Sequence, residues 1–362
     1  MSSRSIRVLV VDDSRLMRTM IGDQINAARG MELAGSARDG VEAVELVRKL
    51  RPDVVTMDVE MPRKNGLEAL TEIMRRYPVP VFMVSALTES AANITLDALD
   101  EGAVDYIAKP ASVAEIKTVL EQKLISKIRF ASNVDLNALR TLRSKPRRRS
   151  TNDGAGRKPN GKAVGCIAIG ISTGGPPALT STFEKLEPPL PPIIVVQHMP
   201  AQFTGPFASR LDGISQLSIK EAQTGDLVEA NSVLIAPGGK HLEIRRRGAR
   251  LTAFVRDGDP VSGHMPSVDV MMRSVVEVFG HRCLGVIMTG MGSDGAGGCA
   301  AIKDCGGFVI GQDEESSAVY GMNRVPFDRG HVDEQFSLSD AADTISQFAQ
   351  HVPTSPVSAG TP

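Results

Sequence analysis

Three residues have the types and settings of a nucleophile, a base and an orienting acid. Ser172 sits on a glycine loop, in IGISTGGPPAL (169–179). His198 directly ends the apolar run PIIVVQ (192–197), and Asp294 lies in the late loop TGMGSDG (289–295). A serine hydroxyl needs a base to attack, and an imidazole acting as base needs a carboxylate to orient it. The order Ser…His…Asp differs from those of the familiar hydrolase folds, but a triad is defined by geometry, not by order. Glycines at 174 and 175 and prolines at 176 and 177 suit a tight turn opening a helix. That would place Ser172 near backbone N–H groups able to stabilise an anion. Two other readings compete. The loop resembles a phosphate cradle, but the G-x-x-x-x-G-K-[ST] spacing is absent. Gly290, Gly292 and Gly295 match G-x-G-x-x-G, but Asp294 inside that cradle would repel a pyrophosphate. His241, His264, His281, His331 and His351 are rival bases; His198 stands out because it ends an apolar strand.

A second polar set lies in the first third of the chain. Apolar runs there end in Asp12-Asp13, Asp58, Ser85 and Lys109-Pro110. Three carboxylates brought together repel unless a cation joins them, and Mg²⁺ suits an all-oxygen site with open positions. A carboxylate can also accept a phosphoryl group. Ser85 and Lys109 could then hold its oxygens. An acid before a helix can instead be an N-cap, the better reading for Asp13 taken alone.

The elements that must carry these residues can be read from hydropathy. Runs at 6–11, 53–57, 80–85 and 104–109, with a weaker one at 32–37, alternate with helix-like stretches such as 14–27 and 66–76. Apolar strands alternating with helices mean a parallel sheet covered on both faces. We expect a small doubly wound domain over 1–127, with a helical segment near 113–130. Residues 128–162 follow as a basic, Gly/Pro/Ser-rich flexible linker. The pattern restarts with runs at 163–170, 192–197, 232–237, 283–290 and 306–312. This predicts a second, mostly parallel α/β domain over 163–351, with a hairpin inserted at 241–254 and Arg-Gly at its turn. Residues 352–362 read as a disordered tail.

The 362 residues suit two domains with full cores, and the net charge of −1 gives no bias toward nucleic acid or membrane. The opening MSSRSIRVLVVDD is not a signal peptide, and no run reaches the roughly 18 apolar residues of a membrane span. Cys166, Cys283, Cys299 and Cys305 are scattered without a C-x-x-C pair, as in a reduced, cytoplasmic chain without a metal framework.

The first 125 residues resemble response-regulator receiver domains, through VVDDS (10–14), TMDVEMPRKNG (56–66), MVSA (83–86) and EGAVDYIAKP (101–110). The resemblance implies a flavodoxin-like fold with Asp58 as phosphoryl acceptor. Asp12, Asp13 and Asp58 would bind Mg²⁺, and Ser85, Tyr106 and Lys109 would form the switch. The second domain resembles the catalytic domain of chemotaxis protein-glutamate methylesterases, through IGISTGGPPAL, VVQHMP (195–200), LIAPGGKHL (234–242), PSVDVMMRSV (266–275) and VIMTGMGSDGAGG (286–298). This implies Ser172 as nucleophile, His198 as base and Asp294 as orienter. Backbone N–H groups near Thr173 and Met291 would form an oxyanion hole, and no cofactor is needed in this domain.

The implied substrate is a glutamyl methyl ester on a methyl-accepting chemotaxis receptor, with glutamine deamidation alongside. The implied phosphodonor is a histidine kinase. The two-domain layout suggests that the unphosphorylated receiver restrains the Ser172 cleft. A cytoplasmic monomer with no nucleic-acid partner and no membrane insertion is expected. A non-catalytic binding module would have lost the serine or histidine. A DNA-binding regulator would carry a helix-turn-helix, and none follows the linker.

Overall fold

The computed structural model describes residues 4–109, 124–132, 161–162, 164–350 and 352–353. Pro110, the start of the expected helix at 113–123, most of the basic linker (133–160), Ala163, His351 and 354–362 of the tail lie outside the described residues. The chain divides into two compact units, Met1–Arg143 and Ser144–Pro362.

The first unit has five strands: β1 Ile6–Val11, β2 Met31–Ala37, β3 Val54–Asp58, β4 Val81–Ser85 and β5 Asp105–Ala108. All pair in parallel, in the order β2-β1-β3-β4-β5. Helices α1 Arg15–Ala27, α2 Gly40–Leu50, α3 Gly66–Arg76, α4 Glu89–Glu101 and α5 Ile125–Ala131 accompany them. This is the expected flavodoxin-like topology, and its order reverses between β1 and β3. Strands β3 and β4 are buried along their whole length, which is why their sequences read as unbroken apolar runs. Helix α5 continues past Lys127, and its Ile128 and Ala131 join the core around Ile21, Ile25 and Phe82. Lys127 ties that helix to β5, its ammonium 2.7 Å from Asp105 Oδ2.

The second unit is built on seven parallel strands: β6 Cys166–Ile171, β7 Ile193–Gln197, β8 Ser218–Glu221, β9 Ser232–Ile235, β12 Cys283–Ile287, β13 Phe308–Gln312 and β14 Glu334–Phe336. Their order is β14-β13-β12-β6-β7-β9-β8. The hairpin expected at 241–254 is present as β10 His241–Arg247 and β11 Arg250–Arg256, an antiparallel pair turning at Gly248. Helices α6 Gly175–Phe183, α7 Ala201–Ile214, α8 Val268–Phe279, α9 Ala296–Asp304, α10 Arg324–Asp328 and α11 Ala341–Gln350 complete the unit. The core joins β6, β7 and β12 to α8 through Ala168, Ile194, Ile287, Met271, Met272 and Val275. Val352–Pro353 form a short antiparallel ladder with Gly161–Lys162. Among the described residues, no helix is long and apolar enough to cross a membrane.

Chain tracing explains the positions of the polar residues. In the second sheet the chain starts centrally at β6, runs outward through β7, and returns at β12 on the other side of β6. The order reverses between β6 and β12, and clefts in such sheets open at the carboxyl ends of the strands at that point. Ser172 follows β6, and the loop carrying Asp294 follows β12. In the first sheet Asp12 and Asp58 end β1 and β3, the strands at its reversal.

One glycine fixes the path beyond Asp58. A Cβ on Gly66 would lie 2.0 Å from the Asp58 carbonyl oxygen, and Gly66 N–H donates to the Val59 carbonyl at 2.9 Å. Gly66→Ala must move backbone, so it should destabilise the first unit by roughly 1–3 kcal/mol. Calorimetry of the full chain should show a lower melting temperature for that unit, with the other unit unchanged.

Candidate functional site

In the first unit Asp12, Asp13 and Asp58 converge, with one carboxylate oxygen from each inside 4.8 Å of the others. Asp12 and Asp58 are buried, while Asp13 is exposed. Ser14, not Asp13, caps α1, its hydroxyl accepting from Met17 N–H. A serine Oγ one residue nearer the helix reaches that amide, so Asp13 is released from capping. Lys109 Nζ lies 2.8 Å from Asp12 Oδ2 and 2.7 Å from Asp58 Oδ2. Beyond the Lys109 ammonium, Asp12 Oδ2 accepts no hydrogen bond among the described residues, which suits this buried oxygen to a hard cation. Burial pushes the Asp58 carboxyl up to about 6, Lys109 pulls it down less strongly, and Asp12 adds to the rise. Burial acts to lower the Lys109 ammonium, but the two carboxylates outweigh it and raise its pKa. The Ser85 hydroxyl is engaged with α4, taking a 2.7 Å hydrogen bond from Thr95 Oγ1. Tyr106 is buried on β5, and that burial holds its phenol well above the usual range.

In the second unit β6 and β7 pair in register with Ile171 beside Gln197, so the residues that follow, Ser172 and His198, leave adjacent strand ends. His198 N–H donates to the Ile171 carbonyl at 3.2 Å, and Ser172 N–H donates to that of Thr289 at 2.9 Å. A Cβ on Gly290 would lie 2.8 Å from Ser172 Cβ, so the serine packs directly against the loop after β12. His198 Nε2 is 2.9 Å from Asp294 Oδ2. The histidine and the acid are thus joined, whereas no Ser172–His198 hydrogen bond forms among the described residues. Hydrogen bonds of this kind are commonly loose before substrate arrives.

The Asp294 carboxylate is fully buried and takes three further hydrogen bonds. Val268 N–H (2.8 Å) donates to Oδ2; Asp269 N–H (3.1 Å) and the Ser267 hydroxyl (2.8 Å) donate to Oδ1. These donors are the N-cap and first turn of α8, a favourable place for an anion. Burial works to raise the Asp294 pKa, but His198 and the two amides outweigh it and hold the carboxyl below its ordinary value. An ionised acceptor on Nε2 requires that nitrogen to carry the proton, so a neutral His198 offers Nδ1 as its basic atom. Nδ1 is buried and has no hydrogen-bond partner.

Thr173 and Met291 flank the serine on the loops after β6 and β12. Among the described residues neither backbone N–H donates a hydrogen bond. The Thr173 carbonyl is held by the Thr289 hydroxyl at 2.9 Å. The Asp294 carboxylate within the G-x-G-x-x-G match at 290–295 does not sit inside that loop; it turns to the first-turn amides of α8.

Several supporting residues carried no signal in the sequence. Gln197 Nε2 bonds the carbonyls of both Ser172 (3.0 Å) and His198 (3.2 Å), bracing the two loops together. Ser267 both caps α8 and holds Asp294. Asp269 answers from the other side, its Oδ1 accepting from Gly295 and Gly298 N–H at 3.1 and 2.7 Å. Apart from the local Ser267 cap, only contacts distant in the chain reveal these roles. His264, one of the rival histidines, stacks on the His198 ring.

Comparison with known proteins gives two family matches. Residues 8–121 match the response regulator receiver domain, and residues 167–345 match CheB methylesterase. A Pyrococcus abyssi relative named protein-glutamate methylesterase/protein-glutamine glutaminase is 44% identical, covering 97% of this chain and 96% of its own. A Caulobacter vibrioides relative of the same name, numbered 1, is 45% identical over 95% of this chain and 98% of its own. The crystal structure of the Thermotoga maritima CheB methylesterase catalytic domain superposes with a TM-score of 0.50 and 34% identity. The match covers 52% of this chain and all of that one.

The raised Asp58 pKa has a consequence for cation binding. A carboxylate must be ionised to bind a cation, so protons would compete with any cation at Asp58 below about pH 6. Without cation, the charged buried Asp58 weakens the fold, and stability falls as pH rises toward 6. Added Mg²⁺ should therefore raise the melting temperature of the first unit at pH 7.5 and have little effect at pH 5. Equal stabilisation at both values would contradict the assignment.

Proposed function

This chain belongs to the CheB methylesterase family, with a receiver domain ahead of the esterase domain, and we propose that it is a phosphorylation-controlled protein-glutamate methylesterase and protein-glutamine glutaminase. Its substrates are glutamyl methyl esters, and certain glutamines, on methyl-accepting chemotaxis receptors. The observation that carries the mechanism is the His198 Nε2–Asp294 contact, which leaves a buried, unpartnered Nδ1 on a histidine whose strand end adjoins that of Ser172.

In this reading Ser172 Oγ attacks the ester carbonyl while His198 Nδ1 takes its proton. Asp294 stabilises the resulting imidazolium. The N–H groups of Thr173 and Met291 receive the developing oxyanion, a contribution of about 3–4 kcal/mol per donor in such sites. Methanol departs with the proton from His198. Water, activated by the same Nδ1, then releases the glutamate side chain from Ser172. With a glutamine side chain the leaving group is ammonia.

The receiver supplies control. Asp58 is the phosphoryl acceptor, and a histidine kinase of the chemosensory system is the donor. Asp12, Asp13 and Asp58 would hold Mg²⁺, which neutralises phosphoryl charge when bound. Lys109 would hold a phosphoryl oxygen, and Ser85 and Tyr106 would pass the change to the surface. The enzyme would act in the cytoplasm as a monomer.

Ser172→Ala should abolish methanol release from methylated receptor without loss of folding; retained turnover would remove the serine from the mechanism. A small-molecule phosphodonor with Mg²⁺ should raise wild-type turnover but not that of Asp58→Ala. Deleting residues 1–130 should raise basal turnover, and an unchanged or lower rate in a folded truncation would count against restraint by the receiver.

A further inference from the structure

His198 is held at one ring nitrogen by Asp294. One hydrogen bond fixes a point and leaves the ring free to swing about it, and Nδ1 has no bond that would stop this. The missing restraint is a second ring. His264 stacks on His198 with centroids 3.8 Å apart and planes 2° from parallel. We infer that His264 is a positioning residue for the base, fixing the plane of His198 so that Nδ1 faces the serine.

The platform itself is anchored. Val261 and His264 exchange two 3.0 Å backbone hydrogen bonds that close a turn. Within that turn, the Ser262 hydroxyl donates to Asp269 Oδ2 at 3.2 Å. Three residues after His264, Ser267 caps α8 and bonds Asp294. The ring below the base and the carboxylate beside it therefore hang from the same helix start. The ring face adds a second benefit, because a π-face favours the cationic imidazolium formed during attack. Neither effect requires the His264 nitrogens, and this separates a flat support from a proton carrier.

The inference rests on the hydrolase reading, and the test separates the two. The kcat and KM for methanol release from methylated receptor are measured for full-length wild type, His264→Ala, His264→Leu and His264→Phe, with melting temperatures. The expected result is a fall in kcat of about 10- to 100-fold for Ala and Leu, a loss typical of misplaced catalytic groups, with KM near wild type. Phe, which keeps a flat ring, should recover to within a few-fold of wild type. If the Ala protein does not fold, the Leu–Phe pair decides, since Leu fills the space without a stacking face. The inference is overturned if Leu and Ala match wild type. It is equally overturned if they raise KM alone, which marks a substrate contact, or if a folded Phe protein is as slow as Leu, which marks a role for the imidazole nitrogens. Failure of the hydrolase reading shows separately, as no methanol from the wild type.

Discussion

Two buried carboxylates exchange places across a helix pair, and the second unit's site depends on that exchange. Asp294 precedes α9 yet accepts from the first turn of α8, whereas Asp269 begins α8 yet accepts from Gly295 and Gly298 at the start of α9. Each helix start is satisfied by an acid carried on the other. Charge-assisted hydrogen bonds contribute about 1.5–3 kcal/mol each when buried and well formed. The exchange fixes the loop after β12, and that loop lies against Ser172 and sets one point of His198.

Both units place their polar residues by the same rule. Parallel strands end together, and where strand order reverses the flanking loops part and leave a cleft. Asp12 and Asp58 leave β1 and β3; Ser172 and the Gly290–Asp294 loop leave β6 and β12. What differs is how charge is handled. In the receiver, burial raises Asp58 while Lys109 lies against it, so this carboxylate is held where its charge is disfavoured. In the esterase domain, Asp294 has four donors around it and stays comfortably ionised.

The architecture was largely legible because β3, β4, β6, β7 and β12 are buried on both faces and so read as apolar runs. Strand-end placement brought out Asp58, Ser172 and His198 for the same reason. The bracing of Ser172 by Gln197, the bond from Ser267 to Asp294, the answering Asp269 and the stacked His264 were not legible. Each joins residues far apart in sequence, and such pairings leave no local pattern. Asp294 was legible as a site residue, but its role as the cap of another helix was not. The choice of Ser14 over Asp13 as the α1 cap turned on a one-residue offset that composition does not resolve.

The double use of Asp294 bears on how this domain can change over evolutionary time. In the proposed mechanism, loss of Ser172 or His198 would remove a reacting group and leave the helix starts intact. Loss of Asp294 strands two amides and a hydroxyl in a dry interior and disturbs the packing of α8 against α9. A descendant that gave up chemistry and kept the domain as a binding scaffold would therefore shed the serine or histidine first. It would retain the aspartate long after hydrolysis had gone, so the acid alone is a poor marker of a working enzyme.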